Sequence, residues 1–278
     1  MAFTTKTLIR GTEIDVAPLE IISFKKLVEK NEDECARLYK AAQSPGFFLL
    51  DVKDLKKHVA DIQQVYALTE QYFSQPEEAK LEDFRPGDEF RGYKDYKGAN
   101  VSTFEVLRDE VDQTASLPKA FQPDTGIISR FVSDSQNLVT TIAARLSELL
   151  WPGSHNCLES HYRPAEPSKT SLKVIRGPML EKVADVGDNT HTDGGILTLM
   201  YCDKWTTQIE LPGSEIWAWV NPLPEHAIVN VGDALQVLSG GRLRSCKHRV
   251  SQVGDGAEER WAITYFLRPA DGVNPAVI

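Results

Sequence analysis

The feature of the sequence that most constrains the fold is a series of short β-type runs that begins after Pro152. Each run is rich in β-branched and aromatic residues and is bounded by Gly, Pro, Asn or Asp. The eight runs are Ser171–Ile175, Ile196–Tyr201, Thr207–Leu211, Ile216–Val220, Ala227–Val231, Ala234–Leu238, Ser245–Val250 and Arg260–Leu267. Short strands in this number and at this spacing predict a double-sheet jelly roll or a β-barrel.

The N-terminal half carries a different pattern, which predicts helices. Apolar residues recur every three or four positions in Asp54–Phe73 and again in Leu138–Leu150, so each segment would present one apolar stripe. Ser133-Asp134 is the predicted N-cap of the second helix. Ser74–Lys80 is predicted to start a short helix between the two.

Size and composition predict a globular protein with a large core. The chain has 278 residues, of which 41% are hydrophobic and 26% are charged. We expect an α+β fold with a mainly β core, in which an N-terminal helical region, residues 1–152, packs on a jelly-roll core, residues 153–278. The net charge is −9 and the acidic residues are spread along the chain, which argues against a phosphate-binding surface. Nucleic acids and anionic membranes are therefore not expected as partners.

Cysteine usage and the N-terminal residues indicate an intracellular protein. Cysteines 35, 157, 202 and 246 are far apart, without CxxC pairs or the dense spacing of disulfide-rich secreted domains. The first residues lack the apolar stretch of a signal peptide, and no run approaches the ~20 apolar residues that span a bilayer. We expect a cytoplasmic location.

The segment Asn189-Thr-His-Thr-Asp-Gly-Gly195 predicts a metal site. In an extended strand, residues two positions apart point to the same side, so His191 and Asp193 can bind one ion. A third nitrogen ligand would complete one face of an octahedron and leave three positions open, as in non-haem Fe(II) oxygenases. His248 is the best candidate, because a jelly roll would place the β-type run Ser245–Ser251 beside the first strand. A His-x-Asp tripeptide alone is too short to be specific, so the prediction depends on this context.

The remaining four histidines lack such a context. His58 and His161 lie in polar segments, His155 lies in a predicted loop, and His226 follows Pro224-Glu225 in a predicted turn. We assign all four to surface or structural roles.

An arginine at the start of the last predicted strand indicates an anionic ligand. Arg260 begins the run Arg-Trp-Ala-Ile-Thr-Tyr-Phe-Leu, whose alternation would direct the guanidinium into the barrel. A buried guanidinium requires an anionic partner, and a dicarboxylate co-substrate supplies one through a bidentate pair. A salt bridge at the mouth of the barrel would explain the same residue, so both interpretations stay open.

Motifs along nearly the whole chain occur in the order found in one enzyme family. They include a GFF-type helix-to-strand entry, a short acidic helix, a GY element, the His-x-Asp pair, two core strands and a distal-histidine segment. The corresponding segments are Ala41–Phe48, Phe73–Lys80, Arg91–Tyr93, His191–Asp193, Trp217–Pro224, Val229–Gln236 and Lys247–Val250. In these motifs the chain resembles the isopenicillin N synthase-like family of 2-oxoglutarate/Fe(II)-dependent dioxygenases.

This resemblance implies a fold, a set of cofactors and a reaction. The implied core is a double-stranded β-helix, with Fe(II) bound by His191, Asp193 and His248 and with 2-oxoglutarate and O2 as co-substrates. The family holds the far carboxylate of 2-oxoglutarate with the arginine of an RxS motif, which falls on Arg260. The implied reaction is oxidation of a small molecule, by hydroxylation, desaturation, epoxidation or rearrangement, in specialised-metabolite biosynthesis.

The chain departs from the family pattern at the carboxylate site. Ala262 stands where the RxS motif has serine, and Gly177 stands where a tyrosine often shares the carboxylate. Each lost neutral hydrogen bond costs about 1 kcal/mol, which is less than the charge-assisted contact of the arginine contributes. We therefore expect weaker binding of 2-oxoglutarate rather than none, with Arg176 compensating if its side chain turns inward.

The chain has nine residues after Pro269, where many members of the family continue into a helix over the pocket. Oxidation chemistry of this kind favours a dry, enclosed site. The predicted lid is the N-terminal segment, the Glu82–Glu105 region or another subunit, the last as a homodimer or heterodimer.

Two alternatives stay open. The missing serine and tyrosine fit an Fe(II) oxidase that takes all electrons from its substrate and does not use 2-oxoglutarate. The altered carboxylate site and the short C-terminus also fit a non-catalytic, auxiliary subunit of a paired dioxygenase, although the complete set His191, Asp193 and His248 argues against it. The sequence does not identify the substrate or the outcome of the reaction.

Overall fold

The computed structural model describes residues 4–96, 101–113, 116–153, 157–177 and 180–273, and these ranges contain strands β1–β13 and helices α1–α7. The strands are β1, Thr5–Ile9; β2, Thr12–Val16; β3, Ile21–Ser23; β4, Phe47–Asp51; β5, Gly92–Tyr96; β6, Val101–Leu107; β7, Ser171–Arg176; β8, Leu197–Cys202; β9, Thr207–Glu210; β10, Trp217–Trp219; β11, His226–Val231; β12, His248–Val250; and β13, Trp261–Leu267. The helices are α1, Phe24–Val28; α2, Glu32–Gln43; α3, Lys56–Phe73; α4, Glu77–Leu81; α5, Thr125–Leu150; α6, Glu159–Tyr162; and α7, Asp233–Leu238.

Two sheets form the core of the molecule. The larger has the strand order β3-β4-β11-β8-β13-β7-β6-β5, and the smaller has the order β1-β2-β10-β9-β12. Phe47 and Ile228 of the larger sheet share a buried cluster with Ile209 and Ala218 of the smaller sheet. The two sheets therefore pack face to face, as the predicted mainly β core requires.

The larger sheet has an apolar face and a more polar face. Ile263, Tyr265 and Leu267 of β13 are buried in the main core, which α3 and α5 complete. Because side chains alternate along a strand, Thr264 and Phe266 point to the opposite face, toward the smaller sheet. This second face lines the interior between the sheets, where the predicted metal ligands also lie.

Two predicted elements differ in the structure. Ala234–Leu238 is helical rather than extended and forms most of α7. A short run with four apolar residues fits either geometry, and here Gly232 ends β11 and Asp233 is placed in the first turn, where the helix dipole favours an acid. Helix α5 begins at Thr125 instead of near Ser133, because Ile128, Phe131 and Val132 extend the same buried stripe toward the N-terminus.

Residues 1–152 are not only helical. Strands β1–β6 all lie in this part of the chain, and β3–β6 belong to the larger sheet. Their pairing is long-range: β4 pairs with β11, and β6 pairs with β7. A helix-period pattern does not report such pairing, so the division at residue 152 stays a prediction. Within the described ranges, no helix combines the length and the apolar character needed to cross a bilayer.

Candidate metal centre

The structure brings the three predicted metal ligands together. His191 and His248 form an antiparallel β-bridge, with backbone N···O distances of 3.0 Å and 2.9 Å, and their ring centroids are 4.2 Å apart. Asp193 Oδ1 lies 3.8 Å from Nε2 of each histidine. One donor atom from each of the three side chains lies within 4.8 Å of the other two. A single cation can therefore contact all three.

Backbone carbonyl groups orient both imidazole rings. His191 Nδ1 is 2.8 Å from the carbonyl oxygen of Asn189, and His248 Nδ1 is 3.2 Å from that of Cys246. An Nδ1–H that donates to a carbonyl leaves the lone pair on Nε2, the atom that faces Asp193. The tautomer required for metal binding is thus fixed at both histidines.

Asp193 has one oxygen held by neighbours and one left for a metal. Its Oδ2 accepts hydrogen bonds from Thr198 Oγ1 at 2.6 Å and from Asn230 Nδ2 at 2.8 Å. Burial by itself raises the pKa of Asp193, but the electrostatic interaction with His248 and these two hydrogen bonds outweigh it, so the pKa is lowered. Burial lowers the pKa of His248. At neutral pH the site holds a carboxylate and a neutral imidazole, the forms that bind a divalent metal.

Asn189 connects the two segments that carry the histidines. Its Oδ1 accepts from Val250 N at 2.7 Å, and its Nδ2 donates to Val250 O at 2.9 Å. The side chain thereby extends the β-bridge of His191 and His248 by one more pair of hydrogen bonds. Sequence reasoning missed Asn189, Thr198 and Asn230, because their contacts with the ligand segments depend on how the strands are brought together.

A cavity of about 580 Å³ lies beside the cluster. Its wall includes His191, Arg260, Lys173, Leu180, Tyr96 and Val101. The volume is in the range of sites that bind small molecules. A metal ligand, the predicted carboxylate-binding arginine and a lysine therefore face one space.

Arg260 precedes β13 and is partly buried, and its Nε donates to the carbonyl oxygen of Gly177 at 2.6 Å. Among the described residues, no carboxylate forms an ion pair with Arg260. A Cβ atom on Gly177 would lie 2.6 Å from Arg260 Nη2, so glycine gives the guanidinium its space. Burial lowers the pKa of Arg260 to about 10, and the group remains a cation at neutral pH. Arg176 pairs with Glu259 at 2.5 Å, so it is not available as the inward-turning substitute.

The other histidines lie apart from this cluster. His58 is 2% exposed and its Nε2 is 2.7 Å from Tyr201 Oη, which fits the structural role. His226 begins β11 and His161 belongs to α6. His155 lies outside the described residues.

Comparisons with known proteins assign the family. Residues 154–269 match the 2OG-Fe(II) oxygenase superfamily, and residues 16–125 match the family described as non-haem dioxygenase in morphine synthesis N-terminal. A 2-oxoglutarate-dependent dioxygenase of Gibberella zeae is 31% identical over 271 residues, which cover 93% of this chain and 82% of that protein. One of Glarea lozoyensis is 32% identical over 267 residues, which cover 91% of this chain and 80% of that protein.

Solved structures show the same fold at lower identity. Arabidopsis thaliana dioxygenase for auxin oxidation 1, solved with 2-oxoglutarate, has a TM-score of 0.74 at 18% identity and covers 92% of this chain and 94% of that chain. Neurospora crassa T7H, solved with 2-oxoglutarate and thymine, has a TM-score of 0.75 at 18% identity and covers 95% of this chain and 90% of that chain. These neighbours confirm the predicted jelly roll with helices packed on it.

The family assignment agrees with the geometry of the site, because the described residues offer the two imidazoles and one carboxylate that non-haem Fe(II) enzymes use. The predicted family, enzyme class and cofactors are thereby confirmed. The chain belongs to the 2-oxoglutarate/Fe(II)-dependent oxygenases and is an oxidoreductase that uses Fe(II), 2-oxoglutarate and O2.

Proposed function

We propose that His191, Asp193 and His248 bind the Fe(II) of this dioxygenase and that Arg260 binds the far carboxylate of 2-oxoglutarate. The observation that carries the proposal is the convergence of three donor atoms within 4.8 Å, with both Nδ1 atoms turned to carbonyl groups. When bound, the iron supplies the activation of O2, so that one C–H bond is oxidised while 2-oxoglutarate is converted to succinate and CO2.

The residues of the chain contribute charge and orientation. Asp193 supplies one negative charge, and Thr198 and Asn230 hold its second oxygen so that Oδ1 is presented to the metal. Arg260 has five N–H donors, of which one is used by the Gly177 carbonyl. The remaining donors and the absence of an ion-pair partner among the described residues support a role in carboxylate binding.

We propose that β5 and β6 form part of the lid, because Tyr96 and Val101 at their facing ends line the cavity. Both residues belong to the Glu82–Glu105 region. Residues 97–100 between them lie outside the described part of the chain. The assignment of a lid to this region does not require a second subunit, so a homodimer or heterodimer stays a prediction.

The substrate that we propose is a small molecule of specialised metabolism. The family and the 580 Å³ cavity support a small substrate, and the net charge of −9 argues against nucleic acids and anionic membranes as partners. A cytoplasmic location agrees with the widely spaced cysteines, all of which are free thiols.

Anaerobic titration with Fe(II) and then 2-oxoglutarate tests the assignment. The chelate of 2-oxoglutarate on Fe(II) should produce a visible charge-transfer band, which D193A and H248A should abolish together with iron binding. R260L should weaken 2-oxoglutarate binding far more than iron binding. R176L is the matched control, since Arg176 is also an arginine and lies at the end of the neighbouring strand β7, but pairs with Glu259.

Two results would contradict the assignment. A wild-type protein that binds Fe(II) but gives no band with 2-oxoglutarate would favour the oxidase or the auxiliary subunit. Equal losses of 2-oxoglutarate affinity in R260L and R176L would remove the role given to Arg260.

A further inference from the structure

A buried cluster of charges lies on the inner face of the larger sheet. Glu105 of β6 is 1% exposed, and its Oε2 is 2.8 Å from Lys173 Nζ of β7. Its Oε1 is 3.2 Å from Arg268 Nη1, just beyond β13, and accepts a hydrogen bond from Ser171 Oγ at 2.5 Å. Two cations from neighbouring strands thus share one carboxylate.

The strand register places this cluster next to the metal ligands. Lys173 pairs with Thr264 of β13, and Phe266, two residues further along β13, pairs with Thr198 of β8. Thr198 is the residue that hydrogen-bonds Asp193. Lys173 Nζ and Arg268 Cζ lie 5.5 Å and 4.5 Å from the centre of the Phe266 ring. The two cations therefore lie over the ring of Phe266. Phe266 is paired with Thr198, the residue that hydrogen-bonds the metal ligand Asp193.

The charges of the iron site balance without this cluster. Fe(II) and Arg260 carry three positive charges, and Asp193 together with the dianion of 2-oxoglutarate carries three negative charges. Around Glu105 the balance is different. Among the groups in direct contact, Lys173 and Arg268 share the single carboxylate of Glu105, which leaves one positive charge in excess at the wall of the cavity.

Lys173 is the member of the cluster that faces the cavity. It lines the same cavity as His191 and Arg260, and its side chain is 21% exposed. Its ammonium group has three donors, and Glu105 is the ion-pair partner that the described residues provide. A partly buried cation with spare donors is stabilised by an anion that enters the cavity.

We infer that the substrate of this enzyme is a small carboxylic acid whose carboxylate pairs with Lys173. The inference rests on the proposed function, because the cavity is a substrate site only if the cluster at His191 holds the iron. Arg260 lies four residues from Thr264, the partner of Lys173, which is about 13 Å along a strand. The two cations therefore bind two separate carboxylates, that of 2-oxoglutarate and that of the substrate.

Matched acids and amides test the inference, because a carboxylate and a primary carboxamide have nearly the same shape and differ in charge. The probes are phenylacetate, cyclohexylacetate and naphthalene-1-acetate, each with its primary amide. Binding is measured by calorimetry to the anaerobic protein loaded with Fe(II) and 2-oxoglutarate, so that no turnover occurs. The visible band of the loaded protein reports 2-oxoglutarate binding independently of the probes.

The variant K173M removes the cation and retains most of the side-chain length. E105Q/K173M removes one charge of each sign and replaces K173M in the binding test if the single variant does not fold. K119M is the matched control, since Lys119 is 81% exposed and pairs with Glu82 on the surface. We expect acids to bind wild type and K119M at least about tenfold more tightly than their amides, which is about 1.4 kcal/mol. This preference should disappear in K173M, while the affinity for 2-oxoglutarate changes less than about twofold.

Each other outcome overturns the inference. Acids that bind no more tightly than amides, probes of which none binds, or a preference that persists in K173M would show that Lys173 does not recognise a carboxylate. A loss of 2-oxoglutarate affinity in K173M as large as the loss for the acids would assign Lys173 to the co-substrate. Failure of the visible band in wild type would instead reject the proposed function, and the substrate assignment with it.

Discussion

Thr198 provides the sharpest test of how the protein supports the proposed iron site. Its side chain is 4% exposed, and its hydroxyl donates to Asp193 Oδ2 at 2.6 Å. T198V removes this donor at nearly constant volume. A hydrogen bond to a charged group contributes about 1.5–3 kcal/mol, and loss of an outer hydrogen bond to a metal ligand costs about 10–100-fold in metal affinity. Because Asn230 still donates to the same oxygen, we expect the affinity for Fe(II) to fall by about tenfold.

The assay is anaerobic competition for Fe(II) with a chromophoric chelator. Since the Thr198 hydroxyl helps to lower the pKa of Asp193, the loss in T198V should grow as the pH falls and the carboxylate gains a proton. T264V is the matched control, because Thr264 lies on the same face of the sheet, is 3% exposed and has an Oγ1 without a hydrogen-bond partner among the described residues. Equal iron affinities in T198V and wild type, or equal losses in T198V and T264V, would refute the reasoning.

Three further substitutions test the co-substrate site and the core. A262S should tighten 2-oxoglutarate binding by a few-fold, about 1 kcal/mol, by restoring the hydroxyl of the RxS motif; an unchanged titration of the visible band would contradict this. G177A should weaken 2-oxoglutarate binding with little loss of stability, because the added Cβ displaces only the flexible end of Arg260; a large drop in melting temperature would show backbone strain instead. Burial lowers the pKa of His58, so the unfolded chain takes up a proton more readily and stability falls as the pH drops below the ordinary value of 6.5. H58Q should reduce this slope by at most about 1.4 kcal/mol per pH unit in urea unfolding, and an unchanged slope would exclude His58 as its source.

Sequence patterns predicted those strands and helices whose formation depends on local geometry. Strand β13 was predicted from alternation and differs by one residue at its start, and α3 was predicted from its apolar stripe and begins two residues later. The prediction of a strand at Ala234–Leu238 was wrong, because a short run with four apolar residues fits a strand and a short helix equally well. Strands β1, β2, β3, β5 and β6 were not predicted. Strands β2, β3 and β6 pair with β10, β4 and β7, which are distant in sequence, whereas β1 and β5 complete hairpins with β2 and β6.

In the candidate site, too, some features follow from the local sequence and others depend on long-range packing. The sequence by itself determined which residue types are present: two imidazoles and a carboxylate able to bind Fe(II), and an arginine at the start of the last strand. Only the tertiary structure decided that Asn189 ties the two histidine segments together, that Gly177 makes room for Arg260, and that Lys173 faces the cavity. The physical reason is that residue identity and alternation are local properties of the sequence. Hydrogen bonds and ion pairs between strands depend instead on the register and packing of segments far apart in sequence.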